Sequence, residues 1–385
     1  MITRIFNLSP KGLGRFCLAV IFGILFAGLW PFDFWPANEV RWLKDRNGVH
    51  FYGQGIIFSA PEPGSSQSPL FPDGPITIEL WLRPDNDTYP YFPRILSVYD
   101  GKEFEVFLLG QWKSHFAVST QGLDAKGRRM YKNTGVENAL QKGQERYIAI
   151  TADEKGTRIY IDGRLEKNYP KYSLLPNDRK PLKQMILGNS PTGNGYWKGN
   201  IYGLAIYQRS LTAEQVLQHY QDWVNGKPPS FIKGDTQSPI SYFPFDERTG
   251  TQIQDQINHR LLLMHPRFDP PQKVILAPPW IDFRLNLSFF SDIMTNILGF
   301  IPFGFFLSLL IRKTSTSARY SFIIVILFGF FLSLAIELLQ VYLPTRNSQF
   351  MDVLTNTIGT ALGIVFFYFS QSLTTRKSSQ PQGLK

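Results

Sequence analysis

Four stretches of this 385-residue chain are long and apolar enough to cross a bilayer, and any fold must first place them. They occupy residues 13–35, with the core FCLAVIFGILFAGLW, then 293–311, 320–343 and 352–371. A helix needs roughly 20 mostly apolar residues to span the hydrocarbon. A charge at mid-bilayer costs about 2.5–3.5 kcal/mol on insertion scales, and the centres of all four stretches avoid charges. The first stretch follows Lys11 and Arg15, a pattern shared with cleaved signal peptides. No small-x-small site follows it, because Phe26-Ala27-Gly28-Leu29-Trp30 is bulky, and no lipobox precedes Cys17. An uncleaved span is expected.

Charge sets the orientation. The net charge of +10 comes from 40 Lys and Arg against 30 Asp and Glu. Nine cations sit in stretches without acid: Arg4, Lys11, Arg15; Arg312, Lys313, Arg319; Arg376, Lys377, Lys385. They fall before the first span, between the second and third, and after the fourth. Those places share one side of a four-span protein, the cytoplasmic side by the positive-inside rule. The expectation is a cytoplasmic N-terminus (1–12), loop (312–319) and tail (372–385), with 36–292 and the loop 344–351 outside. The remaining chain is charge-balanced, so it lacks the basic face of a nucleic-acid binder. The single Cys17 excludes a disulfide framework and a Cys-based metal site.

Within residues 36–224 the texture changes to short alternating strands. Ile76-Thr77-Ile78-Glu79-Leu80-Trp81-Leu82 alternates with period two, as do segments at 104–107 and 158–161. Turn signals at Asp100-Gly101, Lys142-Gly143, Glu154-Lys155-Gly156, Asp162-Gly163 and Asn194-Gly195 separate them. Such spacing argues for an antiparallel sandwich. The runs RYIAIT (146–151), TRIYIDG (157–163), ILG (186–188), WKGNIYGLAIY (197–207) and LTAEQV (211–216) resemble a laminin-G-like, concanavalin-A-like jelly roll. Thr212 reads as a helix N-cap, with Glu214 and Gln215 in the first turn.

Relatives of that fold bind glycans, proteins or calcium, and fold alone does not give function. A calcium ion in the sandwich is compatible with the resemblance, although no Asp and Glu cluster forms a recognisable calcium loop. No other cofactor is implied. Tyr89, Tyr91, Phe92, Trp112, Tyr196 and Trp197 read either as stacking platforms for sugar rings or as sandwich core. Glycosidase chemistry would need two carboxylates across a groove. Glu79, Glu103 and Glu105 qualify only as acids on or near strands, so no catalytic residue is assigned.

Residues 225–292 are rich in proline, including Pro228, Pro229, Pro239, Pro244, Pro270 and Pro271, which argues against long helices. The segment either adds strands to the sandwich or leads down to the membrane, where Pro278-Pro279-Trp280 suits an interfacial landing.

The last three spans carry the sharper pattern. Asn296 precedes Phe300-x-Pro302-x-Gly304; Ser333, Glu337 and Gln340 follow at i, i+4 and i+7; Arg346 lies in the loop. Asp352, Asn356, Gly359 and Gly363 then repeat at i, i+4, i+7 and i+11. Each set lies on one helical face. At 1.5 Å per residue, the polar groups fall in roughly the outer third of the bilayer. Ionisable groups there usually face the bundle interior or a polar cavity. The set resembles the VanZ-like family, with the jelly roll inserted between its first and second helices. That resemblance implies a multi-pass bacterial inner (plasma) membrane protein, in a family whose founding member is linked to teicoplanin resistance, and no known reaction.

Two readings of the cluster stay open. In one, Glu337 or Asp352 pairs with Arg346, the amides bond between helices, and Pro302, Gly304, Gly359 and Gly363 serve packing. In the other, the cluster is a shallow site for a polar headgroup. The role expected is recognition or organisation at the outer membrane face. The ligand would be an envelope polysaccharide or other glycan, a lipid-linked precursor, a glycopeptide antibiotic or an envelope protein. The alternatives are a membrane enzyme acting on a lipid-linked substrate and a structural anchor for a partner.

Overall fold

The structure, a computed structural model, describes residues 8–60, 71, 74–101, 105–123, 129–172, 174, 184–226, 238–279, 287–314 and 320–378. Arg4, Glu103, Pro228, Pro229, Trp280, Arg319 and Lys385 lie outside the described residues, as do the side chains of Arg376 and Lys377. The chain divides into two compact units, one of residues 35–272 and one combining 1–34 with 273–385.

Among the described residues, the first unit is an antiparallel sandwich of two eight-stranded sheets. Sixteen strands are distributed between them: β1 (Val40–Trp42), β2 (Val49–Phe51), β3 (Ile57–Ser59), β4 (Ile76–Pro84), β5 (Arg94–Tyr99), β6 (Glu105–Trp112), β7 (His115–Leu123), β8 (Arg129–Val136), β9 (Arg146–Asp153), β10 (Gly156–Ile161), β11 (Arg164–Tyr169), β12 (Gln184–Leu187), β13 (Gly199–Tyr207), β14 (Ser241–Phe243), β15 (Gln252–Gln254) and β16 (Leu261–Leu263). One sheet runs β1-β2-β13-β4-β9-β10-β11, with β14 also on β13; the other runs β15-β16-β3-β12-β5-β6-β7-β8. The prolines of 225–292 thus bound three short strands, one added to the first sheet and two to the edge of the second. Residues 241–263 therefore contribute strands to the sandwich, while residues from 273 onward belong to the second unit.

Alternation decides which faces close. Ile76, Ile78, Leu80 and Leu82 of β4 point into the inter-sheet core with Ile148 and Ile150 of β9 and Leu204 and Ile206 of β13. The opposite face of this sheet is also covered. Tyr147, Ala149, Ala205 and Tyr207 pack beneath a helix, through its Val216 and Trp223. That helix, Ala213–Val224, opens with Thr212 and Gln215 in a reciprocal capping box. The Asp162-Gly163 turn joins β10 to β11 with φ of 50° and 78° at its two residues. Two positive φ values are what a two-residue hairpin matching strand twist requires. Asp162 also accepts from Tyr147 N at 3.0 Å and Arg146 Nη1 at 2.6 Å, tying the turn to β9.

Among the described residues, the second unit contains four helices long and apolar enough to cross a membrane. Labelled by their order in that unit, they are αA (Pro10–Leu29), αB (Leu287–Thr314), αC (Ser321–Gln340) and αD (Phe350–Ser378). The first ends earlier than its apolar run because Pro31 disfavours a helical residue before it; Trp30 is extended, with ψ of 135°. Large apolar side chains such as Phe22, Phe328, Val365 and Phe369 stay exposed on the helices, as lipid-facing residues would. αB and αD approach closely at glycines. A Cβ on Gly359 would meet the Ile297 carbonyl, one on Gly363 the Ile301 carbonyl, and one on Gly304 the Thr360 carbonyl. Pro302 sits inside αB, exposed on its surface.

Candidate functional site

The polar residues of the helical unit form four groupings. Ser333 and Asn356 are fully or nearly buried, and Asn356 Nδ2 donates to Ser333 Oγ at 2.8 Å. The other end of that amide, Oδ1, is buried without a hydrogen-bond partner among the described residues. Glu337 is 1% exposed, and its Oε2 accepts from the backbone N–H of Gln349 at 2.8 Å. Gln349 immediately precedes αD, so the carboxylate serves the positive end of that helix. Asp352 lies in the first turn of αD, where the same dipole favours it. It is half-buried, bonded by the Asn296 side chain of αB, and it feels the charge of exposed Asp292.

Gln340 and Arg346 turn to the first helix instead. Gln340 Nε2 donates to the Gly28 carbonyl at 2.7 Å. Arg346 donates from Nε to the Trp30 carbonyl at 3.1 Å and from Nη2 to the Ala27 carbonyl at 3.3 Å. Arg346 thus bonds backbone carbonyls of the first helix, where one of the two open readings had paired it with Glu337 or Asp352. The last carbonyls of a helix have no intrahelical partner, and a cation at a helix C-terminus satisfies both their lone pairs and the dipole. Arg346 remains near enough to Glu337 to act on it electrostatically, as does Asp352.

Sequence reasoning missed two contributors. Thr360 fills the space beside Gly304 and Gly329 and donates to the Asn356 carbonyl at 3.0 Å. Its position four residues after Asn356 was the available signal. Ser348, 2% exposed, accepts from Leu276 N at 3.1 Å, and its carbonyl accepts from Ala277 N at 2.8 Å. No spacing rule pointed to it.

In the sandwich the aromatic candidates divide. Trp197 is core: it is fully buried, and Nε1 donates to Gln111 Oε1 at 2.8 Å. Tyr91 lies between Tyr89 and Tyr196, with ring centroids 5.8 and 4.8 Å apart, and all three are half-buried. Burial lifts the Tyr89 and Tyr91 hydroxyls above the ordinary tyrosine range. Trp112 is half-exposed beside Phe92. Glu79 is on β4 and Glu105 on β6, in different sheets. Glu79 is buried against His219 Nδ1 at 2.8 Å and Tyr207 Oη at 3.2 Å. Glu105 is held by Arg94 Nη2 at 3.0 Å and Ser97 Oγ at 2.7 Å. The two carboxylates therefore do not share a groove. Among the described residues, no group of three or more His, Cys, Asp or Glu side chains is placed to hold a metal ion.

Comparison with known proteins matches both parts. Residues 239–371 match the VanZ/LLP1 family model, and residues 63–217 match the model of the concanavalin A-like lectin/glucanases superfamily. A candidate carbohydrate binding protein from Bacteroides ovatus is 12% identical, with a TM-score of 0.39, over 60% of this chain and 59% of that one. The receptor binding domain of botulinum neurotoxin D is 13% identical, with a TM-score of 0.35, over 48% of each chain. The CBM40 of the Ruminococcus gnavus IT-sialidase, bound to α2,3-sialyllactose, is 14% identical, with a TM-score of 0.36, over 45% of this chain and 96% of that one. This chain thus spans less than two thirds of the first two proteins. No curated protein matches it significantly. The VanZ/LLP1 match begins at β14, so it takes in sandwich strands as well as three of the helices. With four apolar helices in its second unit, the chain is a membrane protein that carries a VanZ/LLP1 domain and a concanavalin A-like sandwich.

Proposed function

We propose that the protein is a non-catalytic glycan receptor of the bacterial plasma membrane, holding the hydroxyl-rich headgroup of a membrane ligand at the outer end of its helices. The observation that carries this reading is the half-buried pair of Asp352 and Asn296 beside exposed Asp292. Apart from Asn356 Oδ1, which is buried away from this end, the deeper polar groups Ser333, Asn356, Glu337 and Gln340 donate or accept within the helical unit, which favours this end as the accessible one. Carboxylates accept from hydroxyl and ammonium groups and repel phosphate. The sugar of a lipid-linked saccharide therefore suits the pair better than its diphosphate does. The superfamily of the sandwich includes lectins, which supports a glycan ligand. The three acid-free cationic segments support cytoplasmic termini and an external sandwich.

The test uses the full chain in nanodiscs with a polyprenyl-diphosphate-linked disaccharide. Saturable binding without release of sugar or phosphate is expected, weakened by Asp352→Asn and Asn296→Ala. Turnover would replace the receptor with an enzyme, and no binding by the wild type would overturn the reading. An envelope protein co-purifying through the sandwich, with no glycan bound, would establish an anchor instead. Orientation is checked separately: Lys142→Cys should react with an impermeant maleimide on intact spheroplasts, and labelling only after lysis would refute it.

A further inference from the structure

At one end of the sandwich unit, aromatic side chains reach solvent. Trp35, Tyr52 and Trp112 are 71%, 52% and 52% exposed, three of the four exposed aromatic residues among those described in this unit. Half-buried rings adjoin Trp112. Phe92 lies 6.4 Å from it by ring centroids, Tyr91 lies 4.8 Å from Tyr196, and Lys198 Nζ lies 6.0 Å from the Tyr196 centroid. Backbone bonds draw the loops that carry them together. Arg94 N donates to the Gly195 carbonyl at 2.8 Å, Gln111 N to that of Pro93 at 3.1 Å, and Asp85 N to that of Lys198 at 3.0 Å. Tyr52 follows Phe51, which pairs with Gly199 at the same end.

A second observation says what covers this end. The chain enters the unit at Trp35 and leaves it at Gln272, and both crossings are here. Phe268 N donates to the Pro36 carbonyl at 2.9 Å, and Gln272 N to the Pro191 carbonyl at 3.0 Å, in the loop that carries Tyr196. αA, one of the helices apolar enough to cross a membrane, ends at Leu29. Six residues of chain span at most about 20 Å, which keeps Trp35 within reach of the headgroups at the end of that helix. Such a tether holds the membrane surface at a high effective concentration for whatever lies beside it. The charges at this end are mixed, Lys113, Lys198 and Arg267 against Asp85, Asp87 and Asp269, so they give no preference for anionic lipid. Trp and Tyr, with an apolar ring and one polar edge, favour the headgroup level.

We infer that the end of the sandwich bearing Trp35, Tyr52 and Trp112 docks on the headgroup region of the bilayer through this aromatic rim. The inference rests on the membrane helices and not on the glycan reading. It is tested on the full chain carrying Cys17→Ala, in phosphatidylcholine nanodiscs that contain a headgroup spin-labelled lipid. An environment-sensitive nitrobenzoxadiazole label is attached at Lys113→Cys, beside Trp112, or at Lys155→Cys. β9 spans eight residues, roughly 25 Å at about 3.3 Å per residue, and Lys155 follows its end remote from the rim. The label at 113 should shift to the blue and lose most of its emission to the spin label, and the label at 155 should do neither. Trp112→Ser combined with Tyr52→Ser, both at exposed positions, should return the label at 113 to its aqueous emission. The thermal midpoint of that variant should stay unchanged. Equal emission from the two sites would overturn the inference and leave this face to a protein partner. Quenching at 113 that the double variant leaves unaltered would also overturn it, since the tether alone would then account for the proximity.

Discussion

Replacing Ser333 and Asn356 separately and together tests whether the deepest polar pair is packing or site. Asn356 Nδ2 donates to Ser333 Oγ at 2.8 Å, while Asn356 Oδ1 is buried without a partner among the described residues. A bond between membrane helices averages about 0.6 kcal/mol and reaches about 1.7. A buried polar group left unpaired costs about 1–3 kcal/mol. Ser333→Ala removes the bond and strands the amide at both ends, so a loss of about 1–3 kcal/mol is expected. Asn356→Leu also removes the bond but takes the stranded oxygen with it, and the two terms offset to within about 1 kcal/mol. The double variant should match Asn356→Leu, with Ser333→Ala adding little once Asn356 is absent. Unfolding of the full chain by steric trapping in bicelles measures all four proteins. A silent Ser333→Ala, or an Asn356→Leu that loses more than about 2 kcal/mol, would refute the reasoning.

Gly359→Leu or Gly363→Leu drives a side chain into the Ile297 or Ile301 carbonyl of αB. Overpacking of this kind costs about 1–3 kcal/mol or more, and a lower thermal midpoint in detergent is expected. Trp197→Phe leaves Gln111 Oε1 without its donor in a fully buried position; a loss of at least about 1–3 kcal/mol should appear on chemical denaturation of the sandwich. Burial alone would raise the Asp153 carboxyl, but bonds from Arg158 at 2.6 Å and the Lys155 N–H at 2.8 Å hold it below the usual carboxylate range. A carboxyl lowered in the fold contributes stability above its unfolded value and loses it as pH falls through the folded one. Asp153→Asn should therefore flatten the decline in sandwich stability below about pH 4, read by denaturation at a series of pH values.

The sandwich and the spans were legible for different reasons. Membrane helices show in composition alone, because lipid admits few charges over so long a run. The β10–β11 hairpin was legible because Asp162-Gly163 can adopt the positive φ values that few dipeptides tolerate. β14, β15 and β16 were legible only as one of two open alternatives for the proline-rich segment. Each has three residues, too few to show a period; β14 and β16 pair with strands some 40 to 200 residues away in sequence, and β15 pairs only with β16. In the site, helical spacing put Ser333 and Glu337 on one face, but spacing does not say what faces them. Charge complementarity suggested a carboxylate for Arg346. The unpaired carbonyls at the end of αA, distant in sequence, took it instead.

The accessible pair is positioned by contacts that are themselves not accessible. Asn296 belongs to αB and Asp352 to αD, so their separation depends on how these helices are held together. Further along the pair, Gly359 and Gly363 allow αD to lie against the αB backbone. At the other end, the segment leading to αB is joined to the start of αD: Ala277 N donates to the Ser348 carbonyl at 2.8 Å and Phe350 N to the Ala277 carbonyl at 3.1 Å. Glu337 then fixes that start to αC through Gln349 N at 2.8 Å. Packing and recognition are therefore not competing explanations of the polar residues. The buried members set the spacing of two helices, and that spacing decides whether Asn296 and Asp352 present their acceptors together.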